Sequence, residues 1–147
     1  MISGSVSLTH SNGTQRQFVA SDNRGHHFLI DDATGNTGAK PIELIVIGLA
    51  GCTAFDVINI LRKKRQEVTG YEVKAEADQR QDPPNVFTKV RIHHVVTGVN
   101  INENALQDAI HLSESKYCSV SAMLQLSAEI ATTYEIVKFE RDVVSNT

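Results

Sequence analysis

The sequence predicts an α+β fold in one domain spanning residues 1–147. Three observations carry this. Period-two alternation marks short strands before Asp31 and longer ones after Gly70, and one apolar stretch from Pro41 runs too long for a strand. Hydrophobic residues make up 41% and charged residues 21% of 147 positions, an ordinary balance for a single globular core.

Val6 and Leu8 alternate with polar residues and open the first strand. Ser11-Asn12-Gly13 then reads as a hairpin-type turn into a strand over Gln15 to Ala20. A second turn at Ser21 to Gly25 precedes Phe28 to Ile30, and Asp31 to Gly38 is a loop by composition. Pro41 suits the first position of a helix, where its missing N–H costs nothing. The helix should end at Arg62-Lys63-Lys64-Arg65, cations that complement the negative end of the helix dipole. Apolar residues on several of its sides predict burial nearly all round. Gly48 and Gly51 each cost about 1 kcal/mol of helix propensity relative to Ala. Close approach of another backbone near Cys52 would account for them.

Tyr71, Val73, Ala75 and Ala77 share one face of the next strand, and Gln81-Asp82-Pro83-Pro84-Asn85 forms a loop. Val90, Ile92, His94 and Val96 then face one way, with Lys89, Arg91, His93 and Val95 opposite. A second helix is predicted from about Glu103 to Ser115. Ser119 or Ser121 can cap a short third helix containing Ala122, Met123 and Leu124. Ser127 to Phe139 closes the chain as one or two strands.

Net charge is −3, and the basic cluster at the helix end has no companion, so nucleic acid is not an expected partner. Met1 to Ser5 has neither the basic nor the apolar part of a signal peptide. Glu43, Asp56 and Asn59 interrupt the apolar stretch from Pro41 to Leu61, which argues against a membrane span. A cytoplasmic location follows as the expectation, where thiols stay reduced and disulfides are transient.

Chemistry centres on the only two cysteines, Cys52 in Gly48-Leu49-Ala50-Gly51-Cys52-Thr53 and Cys118 in Lys116-Tyr117-Cys118-Ser119-Val120-Ser121. Taken alone they are either two core residues or a redox couple. Asp56 follows Cys52 by four positions, on the same helix face, and a carboxylate there raises a thiol's pKa. Cys118, at a helix start beside Lys116, has the better local electrostatics for a thiolate. The pairs His26-His27 and His93-His94 point to opposite strand faces, and no cysteine lies at ligand spacing from them, so no metal site is expected. Ser119 and Ser121 lack the Gly-x-Ser-x-Gly setting of a serine nucleophile.

The runs Gly38-Ala39-Lys40-Pro41-Ile42-Glu43-Leu44, Gly48 to Thr53 and Ser113 to Leu124 resemble the OsmC/Ohr family of osmotically inducible and organic hydroperoxide resistance proteins. Asp56-Val57, Ile60 to Gln66 and Pro83 to Lys89 look most like its YhfA-like branch. This resemblance implies an OsmC-like fold: curved antiparallel sheets on two long central helices, in an intertwined homodimer. It implies that Cys52 attacks the peroxide and Cys118 resolves the product, with an external dithiol as reductant and without cofactor or metal. The family's catalytic Glu stands ten residues before the first cysteine. Here that position is Ile42 and Glu43 is its neighbour. Arg16 is the nearest match to the family's activating Arg, with Arg24 and Arg80 as alternatives.

The expected function is therefore a thiol-dependent peroxidase reducing organic hydroperoxides through Cys52 and Cys118, in oxidative stress defence. Ile45, Leu49 and Phe55 around Cys52 predict an apolar cleft. The alternatives are a thiol redox sensor and a small-molecule-binding protein without turnover.

Overall fold

The computed structural model describes residues 1–11 and 13–140. Contacts divide the chain into two units, Met1–Ile45 and Val46–Thr147. The first holds an antiparallel sheet in the order β1 (Gly4–Leu8), β2 (Phe18–Asp22), β3 (His27–Ile30). β1 and β2 close on a bond from the Thr9 amide to the Gln17 carbonyl at 3.0 Å. The turn predicted at Ser11–Gly13 centres on Asn12, which lies outside the described residues. The β2–β3 turn forms as predicted: Asp22 accepts from the amides of Arg24 and His26, and Gly25 supplies a φ of 91°. Gly38 is required by close approach, since a Cβ there would lie 2.3 Å from the Leu29 carbonyl oxygen.

Helix α1 (Pro41–Lys63) begins in this unit and continues into the second. Pro41 takes the first helical position, and the Glu43 carboxylate accepts from the Lys40 amide at 3.0 Å, the return half of a capping box. At the other end Arg65 adopts φ 57°, and the amides of Arg65 and Gln66 donate back to the carbonyls of Arg62 and Leu61. That pattern is a Schellman stop, achieved here without glycine. The strand expected after Gly70 begins earlier, at Glu67, and takes Gly70 in at an irregularity of its register.

In the second unit β4 (Glu67–Gln79) and β5 (Phe87–Val99) pair antiparallel, and β6 (Glu129–Lys138) lies parallel on the other side of β5. The expectation of wholly antiparallel sheets is corrected here. A parallel neighbour needs a crossover, which α2 (Glu103–Leu112), a π-helical turn (Ser113–Tyr117) and α3 (Ser119–Leu124) supply. Asn102 caps α2 by accepting from the Ala105 amide at 3.0 Å. Among the described residues only α1 is long, at 23 residues; α2 has 10.

β5 is the central strand, and Val90, Ile92, His94 and Val96 are its buried face, as the alternation predicts. Against it α1 buries one row at four-residue spacing: Leu49, Thr53, Val57 and Leu61. Leu49 joins a cluster with Phe87, Val90, Ile92, Cys118 and Ala128, while Val57 and Leu61 join Val96, Leu106, Ala109 and Ile110. Burial nearly all round is not found. Ile47 and Phe55 remain 58% and 79% exposed, and an added Cβ at Gly48 or Gly51 meets open space rather than another backbone. By length and composition α1 is apolar enough to cross a membrane. One row of it, Leu49 to Leu61, is buried in the second unit's core clusters, and Asp56 bonds within that unit.

Candidate active site

Two elements of the second unit build the site. Row-neighbours on α1 put Cys52, Thr53 and Asp56 on adjoining positions, with Cys52 and Asp56 one turn apart. The π turn then delivers Ser113 and Cys118 from its two ends, held by the Cys118 amide donating to the Ser113 carbonyl at 2.8 Å. Five-residue closure of this kind often marks functional positions in helices. A hydrogen bond from the Thr132 hydroxyl to the Glu114 carboxylate ties the turn to β6.

The fold brings Cys52 and Cys118 together. Their Sγ atoms and a carboxylate oxygen of Asp56 all lie within 4.8 Å of one another, and both thiols are free. Cys118 is 3% exposed. Its Sγ accepts from the Ser121 amide at 3.3 Å, so Cys118 itself caps α3, and neither Ser119 nor Ser121 does. This corrects the electrostatic expectation for Cys118. Burial pushes its thiol up to about 11, with the neighbouring Cys52 thiol adding to the rise and the Ser121 amide only partly offsetting it. Lys116, expected to help, instead lies over the Tyr117 ring, 5.3 Å from its centroid. Cys118 is thus a protonated thiol at neutral pH, able to donate S–H toward Cys52.

Asp56 is held by Ser113, whose hydroxyl donates to Oδ2 at 2.9 Å while lying 3.1 Å from the Thr53 hydroxyl. Ser113 has one proton to give. With that proton on the carboxylate, Thr53 becomes the donor to Ser113 and the buried chain of hydroxyls is satisfied. Ser113 and Thr53 are the residues sequence reasoning left without a role. Ser113 falls within the family-like run to Leu124 and Thr53 follows Cys52, but no local pattern says that a π turn joins them.

On the sheet, the Tyr71 hydroxyl and His94 Nδ1 share a hydrogen bond of 2.6 Å, the rings nearly parallel at 9°. Burial raises the Tyr71 pKa, reinforced by the Asp56 charge, so the phenol stays protonated. Burial lowers His94 to about 4, and its Nε2 finds no partner among the described residues.

Arg16 and Glu43 are placed in the first unit, each with a local partner. Arg16 Nε donates to Asp32 Oδ2 at 3.0 Å, on the wall of a polar cavity of about 360 Å³ shared with His10, Gln17 and Asp31. The Gly35 amide, then the Arg16 guanidinium, hold Asp32 below the usual carboxylate range. Glu43 is engaged in capping α1. Leu49, expected to line a cleft beside Cys52, belongs to the closed core.

Residues 34–133 match the model of a family described as OsmC-like protein. The chain belongs to the OsmC-like family. It is 38% identical to protein YhfA of Escherichia coli strain K12 over 120 residues, covering 82% of this chain and 90% of that protein. A hypothetical protein from Aquifex aeolicus VF5 superposes with a TM-score of 0.83 at 27% identity, covering 95% of this chain and 98% of that one. The organic hydroperoxide resistance protein OhrB of Bacillus subtilis superposes at 0.61 with 16% identity, covering 92% of this chain and 98% of its own, a likeness of fold. The OsmC-like fold and the YhfA-like branch expected from the sequence are both found.

Proposed function

We propose that this OsmC-like protein is a thiol-dependent peroxidase whose cycle runs through Cys52 and Cys118. The observation that carries the reading is the approach of the two free thiols to within 4.8 Å, one half-buried and one closed in the core. The Cys52 thiolate attacks the outer oxygen of a hydroperoxide, breaking the O–O bond. Cys52 becomes a sulfenic acid and the alkoxide leaves as an alcohol once protonated. The Cys118 thiol then condenses with the sulfenic acid, forming the S–S bond and releasing water. An external dithiol returns both residues to thiols and is itself oxidised. The raised pKa of Cys118 disfavours it as the attacking thiolate, and its proton leaves in the water released on condensation.

The family resemblance nominates Arg16 and Glu43 to orient the peroxide and its leaving oxygen. On that assignment Arg16→Ala and Glu43→Ala slow turnover without removing disulfide formation. A homodimer is part of the proposal: Ile47 and Phe55 offer an apolar face, and Gly48 and Gly51 leave room for a second backbone that this chain does not fill. The cytoplasm suits a cycle that needs reduced thiols.

The test is consumption of a bulky aryl hydroperoxide and of hydrogen peroxide with a small dithiol as reductant. Each peroxide carbon buried in the transition state favours the organic substrate by about 0.8 kcal/mol, so kcat/KM should favour the aryl peroxide by tens of fold or more. Disulfide formation without turnover would support a redox sensor in place of a peroxidase.

A further inference from the structure

The proposed peroxide cycle leaves the carboxylate of Asp56, close to both thiols, without a role. An oxygen of Asp56 lies within 4.8 Å of both sulfurs, so three atoms of metal-ligand type share one cluster. A thiophilic cation binds such donors as thiolates and carboxylate, so one ion can draw all three onto itself. We infer that Cys52, Asp56 and Cys118 form a binding site for a thiophilic divalent cation, Zn²⁺, with two sulfur ligands and one oxygen ligand.

The geometry suits that ion. Tetrahedral Zn²⁺ at about 2.3 Å from sulfur and about 2.0–2.2 Å from carboxylate oxygen places ligand atoms roughly 3.5–3.8 Å apart. The three atoms lie within 4.8 Å of one another, so closing on the ion takes side-chain shifts of about 1 Å. The pairing of two thiolates with a carboxylate favours Zn²⁺ over Mg²⁺ or Ca²⁺, which take oxygen ligands alone. An outer hydrogen bond also orients the oxygen ligand: Ser113 Oγ holds Asp56 at 2.9 Å, and Thr53 supports Ser113 at 3.1 Å. Cys52 and Asp56 are only partly buried, which leaves a path for entry. Binding releases two thiol protons to solvent and leaves a fourth position for water. Sequence spacing could not show this site, because Cys118 arrives from the far end of the crossover.

The site shares its thiols with the proposed peroxide cycle but does not rest on it. Zinc occupancy and peroxide turnover exclude each other at these sulfurs, so each is measured without the other. Reduced full-length protein is titrated with zinc chloride against a chromophoric chelator, without peroxide. The inference expects one Zn²⁺ per chain. It expects Cys52→Ser and Cys118→Ser each to lose affinity about 100-fold or more, and Asp56→Asn to lose at least about tenfold, the scale set by losing even an outer partner. Unchanged affinity in Asp56→Asn, or binding no tighter in the wild type than in the double Cys52→Ser, Cys118→Ser variant, overturns it. Cobalt(II) in the wild-type protein gives a readout that needs no variant. Intense tetrahedral bands with thiolate charge transfer support the site, and a weak octahedral spectrum refutes it.

Discussion

Acidification from about pH 7.5 to about pH 4.5 should destabilise the protein through His94 by a calculable amount. The side chain is fully buried on β5, bonded through Nδ1 to Tyr71, and burial lowers its pKa from 6.5 to about 4. In the unfolded chain the imidazole gains its proton below about pH 6.5, whereas in the folded protein it stays neutral until about pH 4. Between those values the unfolded state binds more protons, so stability falls as pH falls. Integrated to about pH 4.5, the loss is about 2.5 kcal/mol at full effect. The assay is urea unfolding at both pH values, at one fixed protein concentration because assembly contributes to apparent stability. Other groups titrate in the same window, so the informative quantity is the difference between wild type and His94→Gln. Glutamine keeps a polar group beside Tyr71 and removes the titration. The wild type should lose about 2 kcal/mol more than the variant on acidification. Equal losses would show that His94 is charged in the folded state or reached by water, and the burial argument would fail.

Three further outcomes follow from the site and its surroundings. Ser113→Ala removes a buried donor to a carboxylate and should cost about 1.5–3 kcal/mol in urea unfolding; a cost below about 0.5 kcal/mol would mean that water replaces the hydroxyl freely. Cys118→Ser should leave a sulfenic acid on Cys52 that persists after peroxide and proceeds to the sulfinic acid, detected by mass spectrometry. Trapped oxidation on Cys118 in Cys52→Ser protein would exchange the two roles. Phe55→Glu places a charge on the 79% exposed residue of α1 and should convert a homodimer to monomer in light scattering; a wild-type protein already monomeric and folded at micromolar concentration would remove the dimer.

Elements governed by local rules were readable in the sequence. The alternation over Val90 to Val96 gave the buried face of β5, and Pro41 with the Arg62–Arg65 cluster bracketed α1. Both depend on neighbours within a few residues. What was not readable came from pairing across the chain. The parallel partner of β5 depends on a crossover of three short segments, and alternation carries no strand direction. The strand was expected to begin after Gly70 because glycine weakens strands, yet the register of β4 on β5 absorbs it at an irregularity. Local electrostatics favoured Cys118 as the thiolate because a helix start and Lys116 were visible, while its burial among Leu49, Val90 and Ile92 was not. The family-like runs singled out both cysteines. Only the fold shows that Ser113 and Thr53 hold Asp56 beside them.

The most direct test of the proposed cycle is a single oxidation. Fully reduced protein, freed of metal, receives one equivalent of an organic hydroperoxide and is then alkylated, digested and mapped by mass spectrometry. The account predicts a peptide pair cross-linked through Cys52 and Cys118, formed within each chain, and its return to two free thiols on adding a dithiol. Both cysteines recovered alkylated after peroxide, or a disulfide joining the same cysteine of two chains, would contradict it.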